Sequence, residues 1–314
     1  MTAVESIPVI DIASWISGDT GAERAIADRV DAACREIGFF LVTGHSVSEG
    51  IQRTLYDEAR RFFDLPDSVK SLAHDAGDEM GGLVFLPLER EALAGTQGVI
   101  GPGDYKESLN YGAGLPGGRW PAGSAALREA FITYFAAMET LSKTMREIFC
   151  LAIGLPRDCF EEDFAGHLSA LRVINYPEQP QPLAEGQVRA GAHTDYGFLT
   201  ILRSEDTPGG LQVQGRGGAW IDAPAVEGAF IINIGDAFMR WTNGVWRSTP
   251  HRVVNPPAKA GRGSRRQSIP FFLNPRADTV INCLEPFLGE GGEALCPPIT
   301  YADYIALKTR QANG

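Results

Sequence analysis

The sequence is poor in cysteine, with five among 314 residues, and none of the five stands in a Cys-x-x-Cys pair. Cys34, Cys150, Cys159, Cys283 and Cys296 are scattered and odd in number, so neither a disulfide framework nor a zinc knuckle is indicated. The expectation is five free thiols in a reducing compartment, the cytoplasm. Positive charge is short as well: 28 Lys and Arg against 39 Asp and Glu leave a formal net charge of -11. A surface of that sign repels a polyanion, which argues against nucleic acid as a partner. No apolar run approaches the roughly 20 residues of a membrane span, and Met1 to Ile7 carry an acidic residue and no apolar signal core. Neither membrane insertion nor secretion is expected. No His-Glu-x-x-His pattern occurs, which sets aside the helical zinc hydrolases. The one basic cluster, Arg262 to Arg266, reads as a solvated loop at Arg262 and Arg265.

What is present is an ordinary globular balance, 44% hydrophobic and 21% charged, with 36 glycines that favour many turns. Ile26, Val30, Ala33 and Ile37 recur at helical spacing, Gly38 ends that helix, and Phe39 to Val42 read as a buried strand. A second helix spans about Ile51 to Phe63. Glycine and proline then break any period from Asp75 to Gly118, with Lys106 to Tyr111 a possible short strand. Ser124 is placed to cap a long helix whose Leu127, Phe131, Phe135, Met138, Leu141, Met145 and Phe149 repeat every three or four residues.

Beyond Leu168 the period changes to two. Strands are predicted at Leu171 to Tyr176, His193 to Arg203, Leu211 to Gln214, Trp220 to Ala223, Ala229 to Ile234, His251 to Val254 and Gln267 to Leu273. Asn243-Gly244 predicts a hairpin joining Phe238 to Trp241 with Val245 to Arg247, and Asp236 a turn cap. Many short strands with regular turns give a mainly β fold with flanking helices, a jelly-roll core. No low-complexity linker divides the chain, so residues 1 to 314 are expected to form one domain, helix-rich over 1 to 167 and jelly-roll over 168 to 314.

Two patterns carry chemistry. In His193-Thr194-Asp195 the imidazole and the carboxylate stand two apart, so a strand would put both on one face. His251, in a later strand, is the candidate third ligand. Two imidazoles and one carboxylate leave open positions around an octahedral ion, the arrangement associated with Fe(II) that activates dioxygen. Arg266 and Ser268 form a second i, i+2 pair, a planar fork of donors with a small hydroxyl beside it, suited to a carboxylate. His45 reads as a structural histidine, and His74 and His167 receive no role.

In the order and spacing of these motifs the chain resembles the isopenicillin N synthase-like family of Fe(II)/2-oxoglutarate-dependent oxygenases over nearly its whole length. Ile7-Pro8-Val9-Ile10-Asp11, Gly38-Phe39-Phe40 and His45 are similar to the family's helical half. Asn175-Tyr176-Pro177, Gly209-Gly210-Leu211-Gln212-Val213 and Asn233-Ile234-Gly235-Asp236 are similar to its scaffold blocks. The resemblance implies a double-stranded β-helix with Fe(II) on His193, Asp195 and His251. It implies 2-oxoglutarate held at its distal carboxylate by Arg266 and Ser268 with Tyr176 as a further donor, and dioxygen as oxidant. Ile174 replaces an asparagine that many members place against the co-substrate.

The implied activity is oxidation of a small molecule, by hydroxylation, desaturation or ring closure, with release of succinate and carbon dioxide, in secondary metabolism. Leu202, Leu211, Val253, Ile269 and Phe271 are expected to line or back the pocket. The substrate is expected against the segment from Met80 to Tyr111, with Leu83, Phe85, Lys106 and Tyr111 as candidates. Two alternatives stay open: an oxidase of the same fold that needs no keto acid, and a non-catalytic jelly-roll binding protein.

Overall fold

The computed structural model describes residues 6–73, 83–98, 101–112, 120–179, 183–205, 207, 209–223, 225–257, 263–289 and 292–313. His74, Met80 and Arg262 lie outside them. The order begins β1 (Val9–Asp11), α1 (Ala13–Ile16), α2 (Thr20–Glu36), β2 (Phe39–Thr43), α3 (Glu49–Phe63), α4 (Asp67–Lys70), β3 (Val84–Leu86), β4 (Glu107–Gly112) and α5 (Ala125–Ala152). It continues with β5 (Ala170–Tyr176), β6 (Ala190–His193), β7 (Leu199–Ser204), β8 (Leu211–Gln214), β9 (Trp220–Asp222), β10 (Phe230–Ile234), α6 (Asp236–Trp241), β11 (His251–Val253), β12 (Arg266–Leu273), β13 (Val280–Ile281), β14 (Ile299–Thr300) and α7 (Tyr301–Asn313).

Eight strands form one sheet in the order β1-β2-β10-β7-β12-β5-β4-β3, and four form a second, β6-β11-β8-β9. This is the double-stranded β-helix with flanking helices that the strand spacing predicted. The helix-rich half is woven into it, since β1 and β2 extend the large sheet beside β10 while β3 and β4 extend it beside β5. Strand parity sorts the side chains. Phe40, Val42, Leu171, Val173, Ile269 and Phe271 face the helices, whereas Phe39, Leu41, Ile174 and Tyr176 face the inside of the barrel with Leu211, Val213 and Val253. α5 covers the outer face, with Phe135 packed edge-on against Phe271 at 5.2 Å. Burying a side chain of that size contributes about 1.5–3 kcal/mol, so one apolar face sustained over 28 residues is reason enough for α5 to dock.

Gly38, at φ 68°, ends α2 where any Cβ would meet the Arg247 carbonyl oxygen at 2.0 Å. Gly235 is fixed by a similar approach, a Cβ there meeting the Gly197 carbonyl oxygen at 2.1 Å. That contact holds the end of β10 against the loop leaving β6.

The structure corrects several expectations. His193 to Arg203 is not one strand: β6 ends at His193, and Thr194 and Asp195 lie in the connection to β7. Asn243 and Gly244 do make a positive-φ turn, but Phe238 to Trp241 are helical and Val245 to Arg247 form no strand, because Phe238 and Trp241 are drawn into an aromatic core around Phe198. Ser124 makes no side-chain cap; its hydroxyl donates to the Pro121 carbonyl instead. Arg265 is not merely solvated, since it bonds the Asn175 side chain and pairs with Asp64 at the end of α3.

The five-thiol expectation also fails. Cys150 and Cys159 form a disulfide, while Cys34, Cys283 and Cys296 are free. Cys150 occupies the last turn of α5, and the chain folds straight back through Gly154 (φ 77°), with Leu155 donating its N–H to the Cys150 carbonyl. That reversal brings the two Cα atoms to 6.2 Å, within bridging range. No helix among the described residues is long and apolar enough to cross a membrane.

Candidate active site

The barrel interior opens into a cavity of about 310 Å³ that His193, Asp195, His251, Tyr176, Arg266 and Ser268 all line. The sequence-predicted site residues are therefore brought together. Cross-strand pairing does most of it, because His251 at the start of β11 is in direct register with His193 at the end of β6, with ring centroids 4.4 Å apart. Asp195 arrives from the β6–β7 connection, its Oδ1 lying 4.0 Å from His193 Nε2 and 3.8 Å from His251 Nε2. Ligand atoms from the three residues all fall within 4.8 Å of one another.

The surroundings choose which atoms are offered. His193 Nδ1 donates to the Gly191 carbonyl at 2.7 Å and His251 Nδ1 to the Thr249 carbonyl at 3.1 Å, which leaves both Nε2 lone pairs facing Asp195. Thr200 and Asn233 donate to Asp195 Oδ2 at 2.5 and 2.7 Å, which leaves Oδ1 open. Burial and then the neighbouring His251 push the His193 imidazole down to about 3, so it is neutral and able to ligate. For Asp195 burial pushes upward, but His251, His193 and the bonds from Asn233 and Thr200 together hold it below the usual carboxylate value. Two imidazoles and a carboxylate, each with its other atoms engaged, are the donor set that fits a divalent iron.

At the other end of the cavity stands a buried cation with open donors. Arg266 is 1% exposed, its Nη2 reaches Ser204 Oγ, and its Nε and Nη1 have no hydrogen-bond partner among the described residues. Such donors are costly to bury unless an anion meets them. Tyr176 lies between two guanidiniums, with Arg266 at 5.2 Å and Arg189 at 5.8 Å from its ring centre. Arg189, which the sequence reading missed, is wholly buried and donates to the carbonyls of Gly209 and Ser264. Burial and then its neighbour Arg266 bring it down to about 10, still cationic at neutral pH. Two positive charges and the open donors suit this end of the cavity to a carboxylate.

The comparisons with known proteins agree with that chemistry. Residues 168–275 match the model of the 2OG-Fe(II) oxygenase superfamily and residues 7–128 that of the "non-haem dioxygenase in morphine synthesis N-terminal". A 2-oxoglutarate-Fe(II) type oxidoreductase of Aspergillus fumigatus is 34% identical over 99% of this chain and 94% of its own. The chain belongs to the 2OG-Fe(II) oxygenase superfamily. Among solved structures, a full-length Neurospora crassa protein in complex with alpha-KG and thymine matches with a TM-score of 0.84 at 26% identity, covering 100% of this chain and 98% of that one. A 2OG-Fe(II) oxygenase family protein from Caulobacter crescentus also has a TM-score of 0.84, at 27% identity, over 98% and 100% of the two chains. This protein is thus an Fe(II)/2-oxoglutarate-dependent dioxygenase that uses dioxygen, not the keto-acid-independent oxidase or the non-catalytic binding module.

The remaining candidates divide by strand parity. Leu202, Leu211, Val253 and Ile174 line the cavity, but Ile269 and Phe271 point to the helices, and Pro270 and Phe272 take their places inside. Of the substrate-side candidates only Lys106 reaches the cavity. Leu83, Phe85 and Tyr111 sit in the outer core, Tyr111 against Trp120, Phe131 and Phe135. His45 and His167 are structural: His45 bonds the Gly228 carbonyl and the Val47 N–H, and His167 meets Glu139 and the Ser169 N–H.

Glu91, Arg172, Tyr196, Asn274, Tyr301 and Ile305 line the cavity unforeseen. Counting back in steps of two from Tyr176 would have found Arg172, and counting forward in steps of two from Arg266 would have found Phe272. The others come from loops and α7, where no period points inward.

Proposed function

We propose that His193, Asp195 and His251 hold the Fe(II), that Arg266, Ser268 and Tyr176 hold the distal carboxylate of 2-oxoglutarate, and that the substrate is a small, planar, uncharged polar molecule of the pyrimidine-base class. The observation that carries the first two assignments is the pair of open Arg266 donors in the same cavity as the triad. With Fe(II), 2-oxoglutarate and dioxygen bound, the centre oxidises a substrate C–H bond and the co-substrate leaves as succinate and carbon dioxide. The chain's own residues set the geometry. Thr200 and Asn233 keep Asp195 anionic and turned, the carbonyls of Gly191 and Thr249 fix the imidazole tautomers, and Leu202, Leu211 and Val253 exclude water.

The substrate class rests on the opposite wall. Arg172 donates through Nη1 to both Glu91 carboxylate oxygens at 3.0 and 3.1 Å and through Nε to Asn110, leaving Nη2 with no hydrogen-bond partner among the described residues. Lys106 sits 3.3 Å from both Glu91 and Asp104. Two cations against two carboxylates make that wall nearly neutral, which favours an uncharged ligand with its own donors and acceptors. Phe272, Tyr196 and Tyr301 add flat faces around the same space, which suits a ring. The thymine complex of the Neurospora structure supports the same class. About 310 Å³ must hold substrate and co-substrate together, which also favours a small molecule over a polymer. We further place residues 1 to 314 in one oxygenase domain, since the large sheet draws strands from both halves.

The test is succinate formation by the Fe(II) protein with 2-oxoglutarate and a panel of thymine, uracil and small aromatic or aliphatic carboxylic acids. Stimulation by a base, with one oxygen added to it, is expected, and Arg172→Met should raise KM for that base far more than it lowers kcat. Stimulation by a carboxylic acid and by no base would replace the substrate class.

A further inference from the structure

Thr194, the residue between His193 and Asp195, is not idle. Its hydroxyl donates to Asp236 Oδ2 at 3.1 Å, and the Asp236 N–H donates to the Asp195 carbonyl at 2.7 Å. Asp236 is therefore bonded to the ligand-bearing loop through both side chain and backbone. It is also a buried carboxylate, 3% exposed, and its cationic partner comes from the far end of the chain: Lys308 Nζ lies 2.5 Å from Oδ2. The same ammonium stands 5.4 Å from the ring centre of Tyr196, the residue after Asp195, and 5.8 Å from that of Tyr304.

Tyr301, Ile305 and Lys308 stand at positions i, i+4 and i+7 of α7, one helix face. Tyr301 and Ile305 line the cavity of the metal triad, and α7 also packs on the turn Leu93–Gln97, whose Leu93 lines that cavity too. The helix that closes one side of the cavity is thus pinned by an ion pair to Asp236 of α6, which in turn bonds the loop that carries Asp195.

We propose that Lys308 is a positioning residue that couples the docking of α7 to the geometry of the metal ligands, by way of Asp236 and Thr194. This rests on the reading of His193, Asp195 and His251 as the metal site. With the ion pair in place, Asp236 is held where it fixes the Thr194 side chain and the Asp195 backbone, so a seated α7 favours a formed metal site. Linkage makes the effect mutual: a bound metal must favour a seated α7 by the same factor. The device ties construction of the substrate wall to readiness of the metal centre, so that a loaded centre meets a closed pocket.

The experiment uses the full chain with Mn(II) as probe. Mn(II) affinity is measured by titration, and amide hydrogen exchange of the 190–200 and 301–310 segments is measured with and without Mn(II) plus 2-oxoglutarate. In the wild type, loading should slow exchange in both segments. In Lys308→Met, Mn(II) affinity should fall by about fivefold or more, and loading should no longer slow exchange in α7, whereas Lys308→Arg should restore both. Affinity and α7 protection in Lys308→Met equal to wild type, or a wild-type α7 that ignores the metal, would overturn the coupling. A loss of thermal stability alone, with affinity and protection unchanged, would make Lys308 a structural residue and likewise overturn it. His193→Ala serves as the separate control: if it binds Mn(II) as the wild type does, the metal-site reading fails, whatever Lys308 shows.

Discussion

At the scale of single residues, the site is defined less by its ligands than by what occupies their remaining atoms. Arg266 shows this most directly, because one of its nitrogens is satisfied by Ser204 and two have no hydrogen-bond partner among the described residues, which is why we assign them to the co-substrate. Truncating one member of a buried charge pair costs about 2 to 5 kcal/mol, or roughly thirty-fold to a few thousand-fold in affinity. Arg266→Leu should weaken 2-oxoglutarate binding to that extent while Fe(II) or Mn(II) binding changes little. Ser268→Ala should act in the same direction but less, since a neutral hydroxyl contributes about 1.5 to 3 kcal/mol to a charged acceptor. Anaerobic titration of the metal-loaded protein with 2-oxoglutarate measures both. Equal affinity in Arg266→Leu would move the clamp elsewhere.

Glu91 makes a pH prediction of definite sign. Burial raises its pKa, but Arg172 and Lys106 together bring it down to about 2. A carboxylate depressed on folding stabilises the protein above its unfolded value, and that contribution is lost as pH falls through the folded one. Glu91→Gln should therefore lower Tm at pH 7. The gap to wild type should begin to close below about pH 4.5 and vanish near pH 2. A gap that widens in acid would mean that Glu91 is held protonated instead.

At the scale of elements, α5 and the turn after it carry the one feature that reverses an expectation about chemistry. A bridge between Cys150 and Cys159 closes a loop of about ten residues, for which chain entropy contributes about 2–3 kcal/mol. Mass spectrometry of the unreduced, unfolded protein should find three alkylated cysteines, Cys34, Cys283 and Cys296, and a linked pair. Five alkylated cysteines would restore the free-thiol reading. Cys150→Ser should lower the unfolding free energy by that amount without changing metal or 2-oxoglutarate affinity, since the bridge lies on the helix side of the large sheet, away from the cavity.

At the scale of the whole molecule, the proposed metal and co-substrate sites line one cavity between the two sheets, so on that reading ligand binding should register as global stability. A ligand at a hundred times its Kd adds about 2.7 kcal/mol to the native state. Mn(II) should raise Tm, and 2-oxoglutarate should raise it further only when the metal is present. In differential scanning calorimetry, Arg266→Leu should keep the first increment and lose the second, while His193→Ala should lose both. A full 2-oxoglutarate increment without metal would separate the two sites that the cavity joins.

Much of this was legible in the chain itself. Arg266 and Ser268 could be placed together because strand periodicity is local: residues two apart share a face whatever the fold does. His193 and Asp195 were paired by the same rule, but Asp195 reaches the cavity from the β6–β7 connection, outside any strand. The same parity rule, carried in steps of two back along β5 from Tyr176 and forward along β12 from Ser268, would have exchanged Ile269 and Phe271 for Pro270 and Phe272 and added Arg172. The α5 stripe and the buried strand Phe39 to Val42 were readable for the same reason. Tertiary structure alone decided the rest, including which donors of Arg266 stay open. The pairing of His251 with His193, the folding back of Cys159 onto Cys150 and the reach of Lys308 to Asp236 join residues from 9 to 72 positions apart. No periodicity encodes such distances; they are set by which sheet each strand enters and by the burial that forces each buried charge to find a partner.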